Sequence, residues 1–138
     1  MSDPDPGELR ALAAEWLRVA DVDKETVRVC VDAGRTFYPV AAFHCQQAAE
    51  KLMKGFLVLA NIDFRKTHNL RELGRTVAGP FPELENLVTP MAEWTTWSFA
   101  YRYPMEGPNA APEPTETSLR DAYSLIDDLS ARLRARIG

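Results

Sequence analysis

Ala41-Ala42-Phe43-His44-Cys45-Gln46-Gln47-Ala48-Ala49-Glu50-Lys51-Leu52, running on through Phe56 to Leu59, is the stretch whose periodicity decides the fold. At ~100° per residue, Ala41, Cys45, Ala48, Ala49, Leu52, Phe56 and Leu59 fall on one arc. Small residues dominate that arc, so a neighbouring backbone can approach closely and the arc faces the core. Pro39 sits just ahead, at a first-turn position where a missing N–H costs nothing, and the spacing predicts a helix to about Ala60. The opposite arc carries His44, Gln47, Glu50, Lys51 and Lys54, with Val40 and Phe43 beside them. Two readings fit it: a solvated face with an i,i+4 Glu50–Lys54 pair, or a binding groove or dimer face.

Upstream, Leu9, Leu12, Ala13, Trp16, Leu17 and Ala20 recur at helical spacing, and Val27, Cys30, Val31 and Gly34 extend the stripe. Without a proline between residues 8 and 36, one long first helix is expected, preceded by a flexible N-terminus over residues 1–7. Downstream, Thr67 reads as the N-cap of a short helix through Thr76 that ends before Gly79-Pro80. A further segment runs from about Glu83 to Tyr103, broken at Pro90, with Thr89 capping its second half. Residues 104–117 hold Pro104, Pro108, Pro112 and Pro114 and read as an extended loop. Leu119, Ala122, Ile126, Leu129, Leu133 and Ile137 then form the stripe of a last helix. With no alternating strand-like run, the fold class is all-α: one domain over residues 8–138, a bundle of about five helices.

Composition narrows the chemistry. A chain of 138 residues with 46% apolar residues can bury roughly 70% of its unfolded surface without staples. Two cysteines, Cys30 and Cys45, cannot build a disulfide framework or a four-cysteine zinc site; both read as small core residues rather than nucleophiles. Two histidines leave no multi-histidine metal centre, and no metal or cofactor is expected. There is no Gly-rich phosphate loop and no Glu-x-x-His pair of the di-iron bundles. Residues 1–7 lack the basic and apolar regions of a signal peptide, and the apolar run Phe56–Ala60 is too short to cross a bilayer, so a cytoplasmic protein with no membrane partner is expected.

The net charge of −4 argues against a general polyanion binder, but it is an average. Residues 51–75 hold six basic and two acidic groups, a local +4, flanked by segments of −4 on either side. A phosphate site near Lys66, His68 and Arg71 or an ordinary solvated loop fits this block equally well. Asp23 falls on the apolar stripe of the first helix, seven residues after Trp16. Buried, it needs a partner, for which Lys51, His44 and Arg102 are the candidates; alternatively the helix turns near Asp21 and the carboxylate is wet. Trp94, Trp97 and Tyr101 share a face and read as core and interface, while Arg102, between Tyr101 and Tyr103, has the planar fork that grips a carboxylate or phosphate.

Phe43-His44-Cys45-Gln46-Gln47-Ala48-Ala49-Glu50-Lys51, then Lys66-Thr67-His68-Asn69-Leu70, then Arg102-Tyr103-Pro104 together resemble the HEPN domain family, in particular its small prokaryotic branch. The resemblance implies a five-helix up-and-down bundle and a homodimer. It also implies a minimal nucleotidyltransferase as partner in a toxin–antitoxin-like pair, and nucleotide or RNA binding. Under it, Asp23, His44, Gln47, Lys51, His68, Arg102 and Tyr103 are the candidate ligand-binding residues. Many members of the family are metal-independent RNases whose motif is Arg, four to six residues, then His. Here Phe37, Tyr38 and Pro39 stand where His44 would need that Arg, and Asn61, Ile62 and Asp63 where His68 would; no His follows Arg102. A nuclease would therefore need a non-standard site, Arg102 with His68 or His44. A third reading is a purely structural dimerisation module, joined through Val40, Phe43 and the Trp94/Trp97 face.

Overall fold

The computed structural model of the chain describes residues 4–64, 69–97 and 113–138. Helix α1 (Pro6–Ala33) begins two residues earlier than its stripe suggests, because Pro6 is tolerated in the first turn. It ends at Gly34, whose φ of 113° only glycine adopts easily, and a 3₁₀ turn (Arg35–Phe37) leads directly into α2 (Tyr38–Leu59). Gly34 is therefore the stop of α1, not the end of its apolar stripe. Leu12 also leaves the stripe: it is 51% exposed, whereas Ala13, Leu17, Ala20, Val27 and Val31 are buried.

Helix α2 is the middle of the molecule, packed against α1, α3 (Leu70–Ala78) and α5 (Glu116–Ile137). Its residues from Leu52 to Val58 are buried without a break, the mark of a helix covered all round. Contacts between Asp23 and His44, and between Trp16 and Lys54, set α1 antiparallel to α2. Gly55 permits their close approach: a Cβ there would lie 2.8 Å from Leu133 Cδ2 and 3.4 Å from Trp16 Cβ. Helix α5 runs antiparallel to α1, tied by Asp21 to Ser130 (2.7 Å) and by Lys24 to Asp127 (3.0 Å). Burial of the Lys24 ammonium works against its charge, yet the Asp127 hydrogen bond and the Asp21 and Asp127 charges raise its pKa above the ordinary value.

The third and fourth segments differ in detail from expectation. Asn69, not Thr67, caps α3: its side chain accepts from the Arg71 and Glu72 amides at 3.0 and 3.3 Å. Beyond it come a 3₁₀ turn (Pro82–Leu84), the single turn α4 (Glu85–Val88) and another 3₁₀ segment (Pro90–Trp94). Pro90 does interrupt the α-helix, but Thr89 does not restart it as a cap. Thr89 is itself helical, and its hydroxyl donates back to the Glu85 carbonyl at 2.7 Å. The last helix starts at Glu116, inside the expected loop, because Thr115 and Ser118 form a reciprocal capping box. No strand occurs among the described residues, and the fold is an all-α bundle.

Candidate functional site

Asp23 lies on the core side of α1 with 6% of its surface exposed. An isolated carboxylate there would cost several kcal/mol. Two donors from α2 meet it: His44 Nδ1 lies 2.8 Å from Oδ1 and Lys51 Nζ lies 2.5 Å from Oδ2. His44 and Lys51 are two turns apart on one face of α2, so a single carboxylate clamps both, and the wet alternative for Asp23 is excluded. The acid itself is shielded, while the His44 and Lys51 side chains remain about a quarter exposed, at 26% and 25%. With Nδ1 engaged by Asp23, the other ring nitrogen of His44 is the one left for a ligand. Lys51 spends one of its three N–H donors on Asp23 and keeps two.

Gln47 stands between them in the same row, three residues after His44 and four before Lys51. It is half-buried, and its Nε2 donates to the Oε1 of the fully buried Gln46 at 2.7 Å. Four expected residues, Asp23, His44, Gln47 and Lys51, thus converge at the α1–α2 seam. His68, Arg102 and Tyr103 lie outside the described residues. The edge of the His44 and Phe43 rings meets in a T-shaped contact at 5.2 Å.

The same row continues to Lys54, and here the sequence reading needs correction. Glu50 and Lys54 are not a wet pair; they are 4% and 7% exposed, with Nζ 3.8 Å from the carboxylate. Lys54 Nζ lies 5.8 Å from the Trp16 ring centre and 5.6 Å from that of Phe64, and those two rings meet edge-on. Nothing in the residues of α2 itself marks Lys54 as buried; its cover comes from Trp16 of α1 and from Phe64. Elsewhere, burial pushes the Cys45 thiol far up, and Cys30 upward as well, so neither is poised as a thiolate. Among the described residues, no group of three His, Cys, Asp or Glu side chains could hold a metal ion.

The profile of the HEPN domain matches residues 13–132, nearly the whole bundle including the α1–α2 seam. The chain belongs to the HEPN domain family. A crystal structure of an archaeal HEPN homologue superposes on this HEPN domain with a TM-score of 0.68 at 21% sequence identity, covering 91% of this chain and 98% of that one. At that identity the likeness is one of fold. No curated protein matches the sequence. No helix among the described residues is long and apolar enough to cross a membrane.

Proposed function

We propose that this HEPN domain is a binding module for a phosphate-bearing ligand, a nucleotide or an RNA. The observation that carries this is the Asp23 clamp: a buried carboxylate that fixes His44 and Lys51 side by side at the surface of two rigid helices. Held this way, the two side chains have already lost most of the rotamer freedom that ligand binding would otherwise remove. The Lys51 ammonium, with two N–H donors not spent on Asp23, suits a phosphate oxygen. The family resemblance further supports a homodimer and a minimal nucleotidyltransferase as partner in a toxin–antitoxin-like pair.

Calorimetry with ATP, GTP and short RNAs tests the reading on the wild type, Lys51→Met and His44→Ala. One of these ligands is expected to bind, about tenfold or more weakly to each variant, since a hydrogen bond to a charged group contributes ~1.5–3 kcal/mol. No binding by the wild type at millimolar ligand refutes it. A second reading is a nuclease with a non-standard site, favoured by one feature: Asp23 orients the His44 ring as a proton-transfer group requires. It calls for cleavage of total RNA by the wild type that His44→Ala abolishes.

A further inference from the structure

The sequence places a +4 block at residues 51–75, and the structure divides it. Lys51 is neutralised by Asp23 and Lys54 by Glu50. Among the described residues, every lysine and arginine joins an ion pair except Arg10, Arg71 and Arg75. Arg71 and Arg75 are exposed, one turn apart on the same face of α3, and both line a cleft of about 240 Å³ between α3 and α4. Gly74 forms part of the wall between them; a Cβ there would already lie 3.4 Å from Val88 Cγ2, so α3 rests directly on α4. The opposite wall contributes one acidic group, Glu85, and the Thr89 hydroxyl, whose proton is committed to the Glu85 carbonyl. Glu72 is outside the lining.

We propose that this α3–α4 cleft is a phosphate-binding subsite, with Arg71 and Arg75 as its two guanidinium forks. It is a different place from the Asp23 clamp and does not rest on that reading. Two planar forks one turn apart can take the oxygens of one phosphate bidentately, or two successive phosphates of a strand. The volume limits what enters: pockets that enclose a whole drug-sized ligand run to ~300–1,000 Å³. A phosphate group fits the cleft, with the rest of its molecule outside. A nucleoside triphosphate and a single-stranded RNA both present such a group, and the experiment separates them.

Fluorescence anisotropy of a labelled mixed-sequence RNA strand, and calorimetry with ATP and with inorganic phosphate, are compared for the wild type, Arg71→Ala/Arg75→Ala and Arg71→Lys/Arg75→Lys. The alanine pair should bind the recognised probe roughly tenfold or more weakly, with the helix intact by circular dichroism, and the lysine pair should recover part of the loss as point charges. If the strand is the ligand, the slope of log K against log salt falls by about 1.4 for the alanine pair, two contacts at ~0.7 each. An effect on ATP alone assigns the subsite to a triphosphate, and an effect on both assigns it to phosphate groups generally. The proposal is overturned if no probe binds the wild type, or if the alanine pair binds all three as the wild type does. Loss of binding in Lys51→Met with none in the alanine pair overturns this subsite and leaves the clamp standing; the reverse leaves the subsite standing and removes the clamp as a ligand site.

Discussion

Replacing Asp23 with Asn changes one heavy atom and removes one charge, and the geometry sets what that costs. Hydrogen bonds to charged groups contribute about 1.5–3 kcal/mol each and neutral ones about 0.5–1.5. The amide keeps an oxygen for Lys51 and turns its NH₂ toward His44, so two charge-assisted bonds become weaker ones, a loss of about 2 kcal/mol. Lys51→Met should cost more, about 3 kcal/mol, because it leaves the buried carboxylate with His44 alone: Asp23 is 6% exposed, whereas the Lys51 side chain is 25% exposed and can turn to water. The double variant Asp23→Asn/Lys51→Met removes both charges, and its cost should fall short of the sum by ~1–3 kcal/mol. Urea unfolding, followed by tryptophan fluorescence and far-UV circular dichroism, measures all four proteins, with equal m-values as the check that only stability changed. Additivity within ~0.5 kcal/mol, or Asp23→Asn costing more than Lys51→Met, would refute the clamp.

Three shorter expectations accompany it. Lys54→Met should destabilise by roughly 1–3 kcal/mol, since it removes an ammonium 3.8 Å from the Glu50 carboxylate, which is 4% exposed, and Glu50→Gln in the same chain should restore part of this; a variant at least as stable as the wild type contradicts the buried pair. Cys45, fully buried and with its thiol pushed up by that burial, should resist a thiol reagent such as dithionitrobenzoate until urea unfolds the chain, and modification at the native rate of a free thiol contradicts the packing. The apolar triple Asp23→Leu/His44→Leu/Lys51→Met should be within ~1 kcal/mol of the wild type or more stable in the urea assay, while losing whatever ligand the wild type binds; retained binding removes the clamp from the site.

Most of the helical architecture was legible because it rests on periodicity. The small-residue arc Ala41, Cys45, Ala48, Ala49, Leu52 and Phe56 is fully or almost fully buried, as its spacing requires. Asp23 was legible as a carboxylate in need of a partner, and two of its three candidates meet it in space. What sequence alone could not give was the number of neighbours around α2. A wheel with one polar arc reads as a helix with one wet side, but α1 covers that side, so Lys54 and Glu50 are interior. The caps went astray for a related reason. Thr67 and Asn69 both have capping side chains, and only the path of the chain decides that the Asn69 oxygen faces the Arg71 and Glu72 amides. At Thr89 the hydroxyl had a nearer acceptor, the Glu85 carbonyl, than any amide ahead of it.

Stability does not account for the clamp. A buried ionic cluster is often no better than apolar side chains of similar volume, and sometimes worse by 1–4 kcal/mol. Leucines at Asp23 and His44 would extend the surrounding apolar seam without any desolvated charge. What the ionic version supplies, and leucines cannot, is a pair of donors whose positions are set before a ligand arrives. That supply depends on the asymmetry of burial: the acid is inside and shielded, its two bases are partly outside. Reversed, with the bases inside, the same charges would offer nothing to solvent but a carboxylate. The acidic average of the whole chain is compatible with this, because a phosphate senses the groups within about a Debye length, ~8 Å at physiological salt, far more than distant carboxylates. The −4 net charge therefore limits long-range attraction of polyanions, and leaves recognition to short-range forks and clamps such as those on α2 and α3.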